Sequence, residues 1–344
     1  MFFILLFLHI SILSLISKNM KFKNVLVANK NLNKLGGTET FTYSFIKELI
    51  SKGYNVEYFA FKKGFVSSKI ENDLGVSFMN KNSYDVIFSN HNKCVRHLSS
   101  KGLIIQTCHG IYPKLEQPSR FADAHVAISN EVLNHIQSKG YSGKVILNGI
   151  DCINYKPEKE INKKLKNVLS LCHSDEANEV ISNACKQLNI NFNSLNKYKN
   201  PIWNISKVIN ENDLVVGIGR SAYEAIACGR PILIYDNRSY SKSFSDGYLQ
   251  KSTIDFSILN NCSGRYFKKK LDQNGIVKEL KKYNSNDATF LRDFALNNLN
   301  VKTQINTYLE YANSVKKKNN YLISFFKSIF AFKLKIQLIF YNLY

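Results

Sequence analysis

The stretch that most constrains the fold of this chain is DLVVGIGRSAYEAIACGRPILIYD, which runs from Asp213 to Asp236. Its pattern predicts a short buried strand, a glycine-containing loop, two turns of helix from about Ser221 and a second strand after Pro231. Two parallel strands joined in this way bring the loop and the helix N-terminus to the carboxyl edge of a sheet, where backbone N–H groups and the helix dipole attract anions. The stretch therefore predicts an α/β fold that binds a phosphate-bearing ligand.

The same alternation of strand-like and helix-like segments continues along most of the chain. A length of 344 residues exceeds one ordinary core and suits two α/β domains of about 150 residues each. The clearest change in composition is the segment NGID at 148–151, followed by a charged run at 158–166. We therefore predict one domain at 20–155 and a second at 156–318.

The strands of the first domain follow one another without hairpin turns. They are predicted at 24–28, 55–61, 76–79, 84–89, 102–107, 124–129 and 144–147. Helices are predicted at 38–52 and 130–139, where apolar residues recur on one face. The recurring order of strand and then helix implies a parallel sheet.

The chain is strongly basic, with 47 Lys and Arg against 26 Asp and Glu and a formal charge of +21. Such an excess indicates an anionic partner, which could be a nucleic acid, a membrane surface or a phosphorylated substrate. Lysine is abundant along the whole chain, so a compositional bias on a solvated surface explains the charge equally well. Because no known nucleic-acid-binding pattern accompanies the charge, we expect no nucleic-acid partner.

Both ends of the chain are apolar. Segment 1–19 has no basic start or cleavage site and is short for a membrane span, and Met20 could itself be a start, so the segment is either an anchor or an over-extended start. Segment 319–344 is aromatic and aliphatic with lysines interspersed. It is predicted to be a basic amphipathic tail, which either lies on an anionic membrane surface or packs on the protein.

The seven cysteines are odd in number and widely spread, without a C-x-x-C pair, which is typical of reduced thiols in the cytosol. His91, Cys94 and His97 have ligand-type side chains at short spacing, but no second cluster completes a metal site. We therefore expect no metal there.

Two further motifs follow predicted strands. Gly36 and Gly37 come after the first strand and open a helix, which would let the backbone approach a bound phosphate closely, although a ligand-free Gly-Gly turn is commoner. His109 comes directly after the strand at 102–107, at the same carboxyl edge. It is therefore a candidate site residue.

Together these motifs resemble those of the retaining GT-B glycosyltransferases of family 4, over about residues 20–315. The residues that carry the resemblance are Gly36-Gly37-Thr38-Glu39, His109, Ile128-Ser129, Asn148-Gly149-Ile150-Asp151, Pro157 and Glu224-Ala-Ile-Ala-Cys-Gly-Arg-Pro231. The resemblance implies two Rossmann-like parallel-sheet domains that face each other across a cleft, with a helical C-terminal tail. It also implies a nucleotide-sugar donor and no requirement for a metal or other cofactor.

The resemblance assigns roles to individual residues. Gly36 and Gly37 would lie against the donor phosphates, His109 would lie near the transferred sugar and Glu224 would bind the donor ribose. His109 and Glu224 are accordingly the candidate catalytic residues. The donor-binding candidates are Gly36, Gly37, Gly219, Arg220, Ser221 and Glu224. A structural alternative for Ser221 and Glu224 is a capping box, S-x-x-E, at the start of their helix.

Two departures from the family pattern weaken the assignment of catalysis. Val216 stands where the family has the first of two glutamates, and the loop at 172–176 lacks the basic residues that usually hold the diphosphate. Arg220 is the candidate to replace them, because a guanidinium binds phosphate oxygens in a bidentate fork.

The expected function is transfer of a sugar, with retention, to a glycan or lipid-linked acceptor in cell-surface polysaccharide or glycolipid synthesis. The expected location is cytoplasmic, on the inner face of the membrane. The alternatives are a non-catalytic GT-B subunit that binds nucleotide sugars, a nucleic-acid-associated basic protein and a nucleotide-sugar epimerase.

Overall fold

The computed structural model describes residues 22–196, 201–238 and 243–317. The predicted segments 1–19 and 319–344 lie outside these residues. Within the described residues, no helix is long and apolar enough to cross a bilayer.

The first unit is built on a six-stranded sheet in which every neighbouring pair is parallel. Its order is β2-β1-β3-β4-β5-β6. The strands are β1 (Asn24–Asn31), β2 (Asn55–Lys62), β3 (Val86–Ser89), β4 (Leu103–Cys108), β5 (Ala124–Ala127) and β6 (Lys144–Val145). The helices are α1 (Gly37–Ser51), α2 (Phe65–Leu74), α3 (Asn92–Leu98) and α4 (Asn130–Ser138). Because helices cover both faces, the central strands are continuous apolar runs rather than alternating ones.

The second unit has a five-stranded sheet of order β11-β10-β9-β7-β8, in which only the edge strand β11 is antiparallel. The strands are β7 (Asn167–Ser170), β8 (Asn191–Ser194), β9 (Leu214–Gly217), β10 (Ile232–Ile234) and β11 (Gly247–Tyr248). The helices are α5 (Asp175–Gln187), α6 (Ser206–Asn210), α7 (Arg220–Ala227), α8 (Ile254–Leu259), α9 (Gln273–Leu280) and α10 (Asp287–Phe294). The predicted strand–loop–helix–strand unit is present as β9, α7 and β10.

Helix α11 (Val301–Ser314) returns to the first unit. Its buried Tyr308 lies edge-on to Phe45 and Phe88, at centroid distances of 5.0 and 5.9 Å, and its hydroxyl is 3.2 Å from the Thr107 hydroxyl. The predicted second domain, 156–318, includes this helix, but the structure packs it on the first sheet. Sequence periodicity shows that such a helix has an apolar face, and it does not show which sheet that face covers.

The linker between the units is held by one arginine on α10. Arg292 donates to the backbone carbonyls of Cys152, Tyr155 and Ala227, at 2.9, 2.7 and 2.7 Å. Since a guanidinium offers five donors in a fixed plane, a single side chain fixes the linker to the end of α7 and to α10 in the second unit.

Some local predictions were wrong. Residues 76–79 form no strand, because only a single bridge joins Phe78 to Tyr58. Helices α2 and α3 were not predicted. His91 and His97, at which no metal was expected, have contacts within the protein: His91 Nδ1 accepts the Lys30 N–H at 3.1 Å, and His97 stacks on Phe59. In the described part of the chain no three His, Cys, Asp or Glu side chains are grouped to hold a metal ion.

Candidate active site

A cleft of about 690 Å³ lies between the carboxyl edges of the two sheets, and we refer to it as the interdomain cleft. The two units contribute to it through the loops that follow their strands, as expected for open α/β sheets. All the predicted site residues line it, namely Gly36, Gly37, His109, Gly219, Arg220, Ser221 and Glu224. The structure thus brings together residues that are up to 188 positions apart in sequence, which is the separation of Gly36 and Glu224.

His109 stands at the end of β4, on the first wall of the interdomain cleft. Its Nε2 is 2.9 Å from Asn90 Oδ1, and its ring lies edge-on to Phe41 at 5.2 Å. Burial, together with the nearby His91 and Arg220, lowers the pKa of His109 to about 3. The imidazole is therefore neutral at physiological pH.

The Gly36-Gly37 loop faces carboxyl groups from its own unit. A Cβ at Gly36 would collide with Glu39 Oε2, and a Cβ at Gly110 would lie 2.6 Å from Glu116 Oε2. Both acids line the cleft, and burial together with the Glu39 charge raises the pKa of Glu116 to about 7. The contact at Gly36 is with the end of the flexible Glu39 side chain, whereas Gly37 has open space around its Cα.

The second wall is formed by the start of α7. Gly219 is the N-cap with φ of +60°, a left-handed conformation that favours glycine, and its N–H donates to the Cys262 carbonyl at 3.0 Å. The helix therefore begins at Arg220, and no side chain caps it. The capping-box interpretation of Ser221 and Glu224 is wrong, because Ser221 is already inside the first turn.

Arg220 and Glu224 bind each other on this wall. Arg220 Nε is 3.0 Å from Glu224 Oε1, and Nη1 donates to the Gly149 carbonyl at 3.3 Å. The two side chains are only 11% and 8% exposed. Burial, with the adjacent Glu224 carboxylate, raises the pKa of Tyr155 well above its usual value. Arg220, Glu224 and Tyr155 therefore form one buried polar group between the helix and the linker.

The interdomain cleft also contains basic residues that no motif predicted. Arg238 follows β10 and its Nε is 2.6 Å from Asp236 Oδ2. Its position just beyond a strand end was the available signal, because the carboxyl edge of the sheet faces the cleft. With Arg220 it supplies positive charge on the wall where the loop at 172–176 has none.

Arg265 joins the two walls directly. Its Nε and Nη2 donate to Glu131 Oε1 and Oε2 on α4 of the first unit, at 2.6 and 2.5 Å, and its guanidinium lies 5.5 Å from the Tyr112 ring centroid. The two charged side chains are 14% and 16% exposed. A bidentate pair of this kind fixes both distance and orientation.

Unpaired acceptors also line the cleft. Among the described residues, Asn148 Oδ1, Asn261 Oδ1 and Ser263 Oγ are buried without a hydrogen-bond partner. A buried polar atom without a partner is costly, so such atoms are common where a ligand or water completes the site.

The chain was compared with known proteins. No protein-family model and no curated protein matches it. A solved glycosyltransferase from Rickettsia africae ESF-5 superimposes with a TM-score of 0.55 at 13% identity, covering 85% of this chain and 98% of its own. An alpha-glucosyltransferase in complex with UDP and a 13-mer DNA gives 0.53 at 10% identity (85% and 100%), and a Staphylococcus aureus MnaA-UDP co-structure gives 0.51 at 12% identity (87% and 100%). The chain therefore has the GT-B fold, in which two Rossmann-like units face each other across a cleft.

Proposed function

We propose that this protein is a glycosyltransferase, of the type of retaining family 4, that transfers a sugar from a nucleotide-sugar donor to a glycan or lipid-linked acceptor. The observation that carries the proposal is the convergence of the motif residues of both units on the interdomain cleft, with Arg220 at the N-terminus of α7 and Glu224 one turn further along it. The fold supports this assignment, because its two units leave room for a donor on one wall and an acceptor on the other.

The second wall has the chemistry to hold the donor. Helix α7 directs its first N–H groups and the positive end of its dipole toward the cleft, where a diphosphate would gain charge as the glycosidic bond breaks. Arg220 and Arg238 supply cationic donors beside it. We propose that the donor separates Arg220 from Glu224, so that the guanidinium binds phosphate and the carboxylate binds the ribose hydroxyls.

Catalysis would then depend on positioning and on charge stabilisation. In a retaining reaction the leaving phosphate oxygen itself takes the proton of the acceptor hydroxyl, so no protein nucleophile is needed. His109 is neutral and lies on the opposite wall, which suits it to orient the sugar. The reaction as proposed uses no metal and no other cofactor.

The acceptor side has features that suit a membrane surface. The segment FKKGF at 61–65 carries two phenylalanines, Phe61 and Phe65, which are 49% and 47% exposed, with exposed Lys62 and Lys63 between them. Lys62 also lines the interdomain cleft. Exposed aromatic and basic side chains at a cleft rim suit an anionic lipid surface. We propose that the protein works in the cytoplasm at the inner face of the membrane, in surface polysaccharide or glycolipid synthesis.

The test is a thermal-shift and turnover screen of the full chain against a panel of nucleotide sugars. We expect one or two donors to raise the melting temperature and to be hydrolysed slowly, and we expect Glu224→Ala to abolish both effects. Glu211→Ala is the matched control, because Glu211 lies on an exposed ion pair outside the cleft.

Three alternatives give distinct results in the same screen. Stabilisation by a donor without turnover, even with extracted lipid acceptors, would indicate a non-catalytic subunit, which the departures at Val216 and 172–176 favour. Conversion of the donor sugar without an acceptor would indicate an epimerase. Binding of DNA or RNA with steep salt dependence, and of no nucleotide sugar, would indicate a nucleic-acid partner, which the charge of +21 favours.

A further inference from the structure

A buried hydrogen-bond network lies beneath His109 and connects β1, β3 and α1. The Thr42 hydroxyl on α1 donates to the Thr38 carbonyl at 2.7 Å. The same oxygen is 3.0 Å from Asn29 Nδ2 and 2.8 Å from Asn90 Nδ2. Thr42, Asn29 and Asn90 are at most 3% exposed, so no bulk water competes for these bonds.

The direction of each bond follows from the donors available. A hydroxyl has one hydrogen, and a backbone carbonyl only accepts, so the Thr42 hydrogen is committed to the Thr38 carbonyl. The Thr42 oxygen must therefore accept from both amides, which turns the nitrogen of Asn90 toward Thr42. Asn90 Oδ1 then faces His109 Nε2 and has only lone pairs to offer.

This arrangement determines which ring nitrogen of His109 carries the hydrogen. An acceptor at 2.9 Å requires an N–H at Nε2, and the imidazole is neutral, so Nδ1 keeps its lone pair. In the described ranges 22–196, 201–238 and 243–317, Nδ1 has no hydrogen-bond partner, and His109 lines the interdomain cleft.

We infer that Thr42 and Asn90 are positioning residues that hold His109 in its Nε2–H tautomer, so that Nδ1 accepts a hydrogen bond from a hydroxyl group of the bound sugar. The inference rests on the proposed function for the identity of the ligand, and on the hydrogen-bond network and the neutral imidazole for the tautomer. It assigns His109 a role in selecting a hydroxylated sugar rather than in donating a proton.

The tautomer can be measured without any substrate. In a ¹⁵N-histidine NMR spectrum of the full chain at pH 7, we expect His109, assigned by its loss in His109→Gln, to have an unprotonated Nδ1 and a protonated Nε2. Thr42→Val removes the shared acceptor and frees the Asn90 amide to turn, so we expect a mixed or reversed tautomer. Thr42→Ser keeps the hydroxyl and is expected to retain the original one.

Other results would overturn the inference. A charged His109 at pH 7, an Nδ1–H tautomer in the wild type, or an unchanged tautomer in folded Thr42→Val would each do so. If Thr42→Val does not fold, Asn90→Asp serves instead, because a carboxylate only accepts. It should retain the Nε2–H tautomer and raise the pKa of His109, and loss of that tautomer in Asn90→Asp would also contradict the network.

The consequence for recognition is tested with UDP-glucose and its 2-, 3-, 4- and 6-deoxy analogues. We expect the wild type to hydrolyse one analogue about tenfold less efficiently than UDP-glucose, because one hydrogen bond is lost. We expect Thr42→Val to hydrolyse that analogue and UDP-glucose with equal efficiency. The thermal shift produced by UDP alone should stay unchanged in Thr42→Val. The same reduction in hydrolysis of the analogue in both proteins would overturn the role of His109 in recognition. A failure of UDP to bind would count against the proposed function, and the NMR result would still decide the tautomer.

Discussion

Arg220 and Glu224 lie one helical turn apart on α7, and their side chains are paired at 3.0 Å between Nε and Oε1. Both are mostly buried, so removing one partner leaves a charge without compensation. We expect Glu224→Ala to lower the free energy of unfolding by about 3 kcal/mol, whereas Arg220→Met combined with Glu224→Leu should lose much less. Urea denaturation of Arg220→Met, of Glu224→Leu and of the double variant measures this coupling, and strictly additive losses would show that the pair is not coupled.

The ion pair of Arg265 with Glu131 joins the two units across the interdomain cleft, so it should hold the units at one separation. We expect Glu131→Gln to weaken this contact and to increase the radius of gyration in small-angle X-ray scattering. The matched control is Glu211→Gln. The Glu211 ion pair with Lys159 is weak, because both side chains are more than 60% exposed and the N–O distance is as long as 3.9 Å. Identical scattering curves for all three proteins would contradict the prediction.

Glu116 should give the protein a pH-dependent stability. Its pKa is raised from 4.5 to about 7 in the folded state, so ionisation is unfavourable there and stability falls as the pH rises between these values. Glu116→Gln cannot ionise and should not lose this contribution, so its stability relative to the wild type should grow by up to about 3 kcal/mol from pH 4.5 to pH 7. Denaturation of both proteins across this range is the measurement, and a constant difference would contradict a raised pKa.

Gly149 in the linker lies against α11. A Cβ at Gly149 would lie 2.6 Å from the Val301 Cα, a backbone atom that has no rotamer to change. We expect Gly149→Ala to destabilise the protein by about 2 kcal/mol, as overpacking does. Gly37→Ala is the control, since open space surrounds Gly37 at the start of α1 and alanine favours a helix. Equal melting temperatures for the two variants would rule out the contact.

Membrane binding can be tested at two separate places. We expect deletion of 319–344 to release the protein from anionic vesicles, because the protein loses the lysines and aromatic residues of this tail. Phe61→Ser with Phe65→Ser should weaken binding independently, since both side chains are exposed beside Lys62. Cosedimentation with anionic and with neutral vesicles is the measurement. Equal binding of the truncated and full chains would exclude the tail, and equal binding of the Phe variant would exclude the 61–65 segment.

Much of the fold followed from local sequence patterns. The strands at 24–28, 55–61 and 102–107 were predicted because buried parallel strands are continuous apolar runs. Helix α2 was missed because its sequence, FVSSKIENDL, has few apolar residues and begins after a glycine rather than a capping side chain. Helix α7 begins one residue before Ser221 because the conformation of Gly219, and not a side chain, starts it.

The site could be predicted only in part, because many of its contacts join residues that are far apart in the sequence. His109 and Glu224 belong to recognisable motifs. The residues that determine the tautomer of His109 do not. Asn90 is 19 residues from His109 and 48 from Thr42. These three side chains meet only because the ends of two parallel strands lie against the first half of α1. The link between Arg265 and Glu131 spans 134 residues and has no sequence pattern at all.

The return of α11 to the first sheet has a consequence for how the chain is made. Tyr308 completes the aromatic core around Phe45 and Phe88. This core is therefore incomplete until the ribosome has synthesised the residues between Phe88 and Tyr308. The second unit, by contrast, has its strands β7 to β11 and its helices α5 to α10 before α11 emerges. We therefore expect the first unit to complete its core only after the second unit has been synthesised.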